Sequence, residues 1–321
     1  MTSVYTRRQA LIACGLSRFA FAAESVKPMR GIFIILATPF TESKAVDFED
    51  LAREVDFMAR SGVQGIVWPQ LASEYITLSK DERMQGMEVL AKAARGKAPA
   101  LVLGVQGSST DAALEYLRHA ETLNPDALIA IPPTEAKSAA DFRDYYRSLA
   151  RNTARPLFVQ TTGGAKGITP PVEMLAELAR EFPHCGYIKE EAEPVIERMT
   201  ALSKHRPAVK SVFSGAAGKG MMYEMSLGFD GTMPGAPYPD IYAQIWEMYQ
   251  AGRKSAARDL FAKLLLMINL DQQAPGTRQY MMKKRGVFKT MVSRRQESKL
   301  TPQAISEIDF CWEALKPYAR V

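Results

Sequence analysis

The chain has 321 residues, of which 47% are hydrophobic and 24% charged, with a formal net charge of +6. These values exclude a disordered or low-complexity protein and leave enough apolar mass for one large α/β domain or two smaller ones. Cys14, Cys185 and Cys311 are scattered, and His119, His184 and His205 keep no ligand spacing, so no disulfide framework or metal site is expected.

At the N-terminus, Arg7-Arg8 precedes a short apolar run, and Ala20-Phe21-Ala22 has the form of a cleavage site. This resembles a twin-arginine export signal and predicts a periplasmic protein. The alternative is a disordered basic tail on a cytoplasmic one. Residues 1–28 are therefore set apart from the fold. After them, no run approaches the length that spans a bilayer, so no membrane partner is expected.

From Gly31 onward, short apolar runs of strand length recur at 31–38, 65–68, 100–105, 127–131, 156–161, 187–189, 211–213 and 231–233. Amphipathic stretches of helical length lie between them, at 47–60, 81–94, 110–123, 140–150, 171–180 and 194–203. Thr110 and Ser138 read as N-caps, Gly62 and Gly96 as helix stops, and Pro171 as a first-turn proline. Continuous apolar strands alternating with helices predict a parallel sheet covered by helices. Eight such units predict an α/β fold of the (β/α)8 TIM-barrel type over residues 29–240. An open doubly wound sheet is the alternative, but no glycine-rich dinucleotide fingerprint follows the first strand. Residues 241–321 read as a C-terminal helical extension, with helices at 238–249, 255–270 and 302–315. Leu260, Leu264, Met267 and Ile268 form an apolar stripe there. The basic cluster Lys283-Lys284-Arg285, Lys289 and Arg294-Arg295 lacks a recognition pattern. It predicts a solvated or inter-subunit face rather than a nucleic-acid partner.

Active sites of such barrels lie at the C-terminal ends of the strands. Read in order, those ends offer Thr38, then Ala72-Ser73-Glu74, Gln106, Pro132-Pro133, Gln160-Thr161-Thr162, Lys189-Glu190-Glu191, Ser214-Gly215 and Pro234-Gly235. Lys189 ends an apolar strand. A partly desolvated lysine holds its charge less firmly, and the neutral amine can attack a carbonyl to form a Schiff base. The alternative is a strand-end lysine snorkelling to solvent beside a glutamate. Strand alternation puts Glu191 on the same side as Lys189 and sends Glu190 toward the helices. Glu191 is then the candidate for proton transfer.

Ala37-Thr38-Pro39-Phe40, Val46-Asp47, Gly62-Val63-Gln64-Gly65, Glu74 with Thr77-Leu78-Ser79, Ile188-Lys189-Glu190, and Gly228-Phe229-Asp230-Gly231 resemble the dihydrodipicolinate synthase / N-acetylneuraminate lyase family. The resemblance covers roughly residues 31–270. It implies a tetrameric (β/α)8 barrel without cofactor, acting on small 2-oxo acids through an imine on Lys189. It also implies a loop after the second strand that holds the substrate carboxylate, here Ala72-Ser73, and a structural role for Glu74. Thr38, Thr161, Ser214 and Gly215 complete the expected binding residues, with Lys189, Gln160 and Glu191 as the catalytic set. The sequence departs from the family where a proton-shuttling tyrosine becomes Gln160, an arginine becomes Ala165, and the paired hydroxyl residues before Ser73 become Leu71-Ala72. These changes predict a Schiff-base lyase, aldolase or hydro-lyase other than dihydrodipicolinate synthase. The alternative is a non-catalytic small-carboxylate binding protein on the same scaffold.

Overall fold

The computed structural model describes residues 27–295 and 297–321. The twin-arginine segment and Cys14 lie outside the described residues. Eight parallel strands close into a barrel in sequence order. They are β1 (Gly31–Ile35), β2 (Gly65–Trp68), β3 (Ala100–Gly104), β4 (Ala127–Ala130), β5 (Leu157–Gln160), β6 (Tyr187–Lys189), β7 (Ser211–Ser214) and β8 (Gly231–Thr232). Between them run α1 (Phe48–Ser61), α2 (Lys80–Ala94), α3 (Thr110–Thr122), α4 (Ala139–Arg151), α5 (Val172–Glu181), α6 (Val195–Ser203) and α7 (Met221–Ser226). After β8 come α8 (Pro239–Gln250), α9 (Lys254–Gln273), α10 (Thr277–Lys284) and α11 (Pro302–Glu313). α8 packs on β1 and α1 and fills the eighth position of the helix ring.

The expected barrel is therefore present, and the open sheet is not. Its caps follow local chemistry. Asp47 accepts the Glu49 and Asp50 N–H groups at the start of α1, and Ser138 and Asp141 form a capping box on α4. Ser109, not Thr110, caps α3, because its hydroxyl is the one that reaches the Ala112 N–H.

Strand alternation divides the core into two layers. One lies between sheet and helices and includes Ile34, Trp68, Leu103, Val159 and Ile188. The other fills the barrel with Phe33, Val67, Val102, Ile129, Phe158, Phe213 and Met233. The rings of Phe33, Phe158 and Phe213 meet one another at centroid distances of 5.1–6.1 Å. Gly65 and Gly231 make room for them, since a Cβ at either site would stand 2.3 Å or 2.5 Å from a phenylalanine ring. This packed apolar interior closes the barrel beneath its polar mouth.

The basic C-terminal cluster is only in part the solvated face its composition suggests: Lys283, Lys284, Lys289 and Arg295 are exposed, whereas Arg285 and Arg294 turn inward. Arg285 is buried against Asp240, with 2.7 and 3.0 Å contacts, and donates to Val321 O. Lys289 meets Asp47 and Glu49, and Arg294 grips both oxygens of Glu82 while its guanidinium lies over Phe40. These charges strap the segment after α10 across the β1 and β2 end of the barrel.

Candidate active site

Lys189 is the last residue of β6 and pairs in register with Gln160, the last of β5. Both face the barrel interior. The Lys189 side chain is 3% exposed, and its Nζ lies 3.0 Å from Glu191 Oε2. It also donates to Gln160 Oε1 at 3.3 Å. Gln160 is held in that orientation because its Nε2 donates to Thr162 O. Tyr146 fixes the strand end behind it by donating to Gln160 O at 3.1 Å.

Glu191 is the hub of the site. Its Oε1 accepts the Ala216 N–H at 3.1 Å, and its Oε2 accepts the Thr162 hydroxyl at 3.3 Å. Burial alone would raise its carboxyl, but the Lys189 ammonium and these hydrogen bonds together hold it below the ordinary glutamate value. Gly215 leaves the space this carboxylate occupies, since a Cβ there would stand 1.7 Å from Glu191 Oε1. Glu190 points the other way, as alternation predicts. It is fully buried in the helix layer, 3.0 Å from the Arg198 guanidinium of α6, and accepts the Ala192 N–H. Thr161 joins the two glutamates. Its hydroxyl donates to Glu190 Oε1 at 2.6 Å and accepts the Glu191 N–H at 3.0 Å.

An amine, a carboxylate and an amide thus converge at the mouth of a closed (β/α)8 barrel. The sequence matches the dihydrodipicolinate synthetase family over residues 28–307. The chain belongs to that family. It is 27% identical to a 4-hydroxy-tetrahydrodipicolinate synthase of Parabacteroides distasonis, over 78% of this chain and 85% of that one. It is 26% identical to the L-2-keto-3-deoxyarabonate dehydratase of Azospirillum brasilense, over 87% of this chain and 92% of that one. A crystal structure of dihydrodipicolinate synthase from Rhodopseudomonas palustris superposes with a TM-score of 0.80 at 23% identity, covering 88% of this chain and 97% of that one.

Within the family frame, Lys189, Gln160, Glu191 and Gly215 come together and Ala72 stands half-buried against the barrel interior, whereas the Thr161 hydroxyl, expected to bind substrate, is turned to Glu190 in the helix layer and touches the site only through the Glu191 N–H. Three further expected binding residues do not join them. Thr38 donates to Ser73 O at 2.5 Å and accepts from the Trp68 indole at 3.0 Å, so its hydroxyl faces the outer layer. The Ser73 hydroxyl donates to Leu36 O at 2.5 Å and accepts the Gln70 N–H, while its own N–H is taken by Gln70 O. Ser214 follows the inward-facing Phe213 and so turns to the helices, donating to Glu224 and meeting Thr232 Oγ1 at 3.1 Å. These three hydroxyls brace the strand ends instead of lining the mouth.

Glu74 takes the structural role that the resemblance implies. Its Oε2 accepts the N–H groups of Arg294 and Arg295, which ties the C-terminal strap to the loop after β2. Of the two threonines that end the fifth strand's run, Thr162 is the one that faces inward, as alternation from Gln160 requires, and its hydroxyl donates to Glu191. Cys185 is no competing nucleophile, because burial pushes its thiol up to about 12. Among the described residues, no cluster of potential metal ligands occurs and no helix is long and apolar enough to cross a membrane.

Proposed function

We propose that this family member is a Schiff-base lyase that acts on a small 2-oxo acid through Lys189, and that it is not a dihydrodipicolinate synthase. The observation that carries the reading is the buried Lys189 amine placed 3.0 Å from Glu191 at the mouth of the barrel. Glu191 takes the ammonium proton when a 2-oxo acid enters, and the freed amine adds to the C2 carbonyl carbon. A C–N bond forms as the carbonyl π pair moves onto oxygen. That oxygen leaves as water once it has received the proton held by Glu191 and a second proton relayed through solvent from the carbinolamine nitrogen, whose lone pair then forms the C=N bond of a protonated imine. The imine withdraws electrons from C3, so a proton or a carbon substituent can leave there. Gln160 positions the imine nitrogen or a substrate oxygen but carries no transferable proton of suitable acidity.

Elimination of water, as in the reaction for which the Azospirillum brasilense relative is named, is one reaction open to such a site, and aldol cleavage is the other. The tyrosine and arginine that the resemblance assigns to the synthases are Gln160 and Ala165 here, which supports a reaction other than condensation of pyruvate with aspartate semialdehyde. A homotetramer and export of the chain through its Arg7-Arg8 segment belong to the same proposal. The test is borohydride reduction in the presence of a panel of 2-oxo acids. The wild type gains the mass of a reduced adduct, and Lys189→Ala does not. If no member of the panel adds mass, the small-carboxylate binding protein replaces the lyase.

A further inference from the structure

The turn after β7 holds two alanines in a conformation that alanine avoids. Ala216 has φ 48° and Ala217 φ 57°, and Gly218 follows at φ 69°. Left-handed backbone crowds a Cβ, and only glycine enters it freely. Backbone of this kind persists where the surrounding structure fixes it, and it collects at functional sites. The functional contact of this turn is with Glu191. The Ala216 N–H donates to Glu191 Oε1 at 3.1 Å, while Oε2 of the same carboxylate meets Lys189 Nζ at 3.0 Å and the Thr162 hydroxyl at 3.3 Å. Ala216 is exposed at the barrel mouth, so the turn is held from beneath. Tyr242 of α8 is 2% exposed, and its hydroxyl donates to Ala217 O at 2.7 Å. Its ring lies against Gly218, where a Cβ would stand 3.0 Å from ring carbon Cε1. The Gly218 N–H closes the turn on Gly215 O at 2.8 Å. Asp271 and Arg278 line a cavity of about 20 Å³ beside the Tyr242 ring and are paired with each other at 2.8 Å, which leaves the phenol hydroxyl to Ala217 O.

We propose that Tyr242 is a positioning residue for the Lys189 site: its hydroxyl locks the left-handed turn whose Ala216 N–H aims the Glu191 carboxylate at the amine. The proposal rests on the Schiff-base reading and adds to it a residue of the helix layer that never touches substrate. The two oxygens of Glu191 have separate duties. Oε1 is anchored by the turn, and Oε2 is thereby held where it can take the ammonium proton. Without the phenol hydroxyl, Ala217 O loses its donor and the two alanines relax toward the right-handed region that their Cβ atoms favour. That movement takes the Ala216 N–H off Oε1. The carboxylate can then rotate, and it has lost one of the bonds that favour its charged form.

The experiment follows the Glu191 carboxyl itself, by carbon NMR of protein labelled with 13C-glutamate, with the resonance assigned by its loss in Glu191→Gln. In Tyr242→Phe this carboxyl titrates at higher pH than in the wild type, and the rate of borohydride trapping with pyruvate falls about tenfold at neutral pH with half-saturating pyruvate nearly unchanged. Ala217→Val leaves the phenol in place but puts a β-branched side chain where φ is positive, and it moves the titration in the same direction. Adding Ala217→Gly to Tyr242→Phe restores both the titration and the trapping rate, because glycine keeps the left-handed turn without the bond. A phenol with a structural role alone would lower Tm and leave the titration in place. An unmoved titration in Tyr242→Phe and Ala217→Val, or a shift that Ala217→Gly does not reverse, overturns the positioning role whatever the trapping shows. A titration that moves and is restored, in a wild type that no 2-oxo acid labels, upholds the positioning of Glu191 and overturns the imine alone.

Discussion

Replacing Glu191 by glutamine removes the counter-charge of Lys189 while keeping nearly the same shape. Lys189 is 3% exposed and Glu191 19%, so the pair is mostly shielded from water. Breaking a buried pair by removing one partner costs about 3–5 kcal/mol. The partial exposure of Glu191 and the polarity retained by glutamine put this change near the lower end, about 2–3 kcal/mol. Glutamine has one acceptor oxygen where the carboxylate has two, against three donors, Lys189 Nζ, the Thr162 hydroxyl and the Ala216 N–H, so at least one of them loses its acceptor. In a chain of this size the loss lowers Tm by roughly 4–10 °C at pH 7. The pH dependence has a definite sign. The Glu191 carboxyl is depressed in the fold, so its contribution is complete above the ordinary value of 4.5 and is lost as pH falls through the depressed one. Differential scanning calorimetry of wild type and Glu191→Gln should therefore show Tm values that differ at pH 7 and converge on acidification below about pH 4.5. Turnover falls by about 10²-fold or more, because the proton acceptor beside the amine is gone, while borohydride still traps an adduct at raised pH. Equal Tm values at pH 7 together with unchanged turnover would refute the reasoning.

Gly215→Ala puts a methyl group into the Glu191 carboxylate, which can swing aside because it ends a flexible side chain. The fold and Tm should be nearly kept while turnover drops at least about tenfold; unaltered steady-state kinetics would show that the position of Glu191 is immaterial. Glu74→Ala strands the N–H groups of Arg294 and Arg295, and limited proteolysis should then cut the strap after α10 faster than in the wild type. Identical cleavage rates would mean that the strap is held without Glu74. Incubation with pyruvate and aspartate semialdehyde should give no condensation product, as followed by coupled reduction, and robust product formation would restore the synthase reading.

The barrel was legible because its strands are buried on both faces and therefore appear as unbroken apolar runs between amphipathic helices. The same alternation placed Lys189 with Glu191 and turned Glu190 to Arg198. Alternation also held the answer for Ser214, since Phe213 is inward and its neighbour must face out. Thr38 and Ser73 were harder to read, because their hydroxyls are taken by backbone carbonyls whose approach depends on the loop after β2. The strap was hidden for a different reason. Its partners Asp47, Glu82 and Asp240 lie far away in sequence, so the basic cluster looked unpaired. The helices α7 and α10 escaped notice because each spans barely two turns, too few to show a period.

The central claim is that Lys189 itself becomes covalently linked to substrate. Peptide mass mapping after borohydride reduction with pyruvate and with 2-keto-3-deoxyarabonate tests it directly. One modified peptide is expected, carrying the reduced adduct on Lys189, and no such peptide from Lys189→Met. An adduct on another lysine, or equal labelling of Lys189→Met, would contradict it.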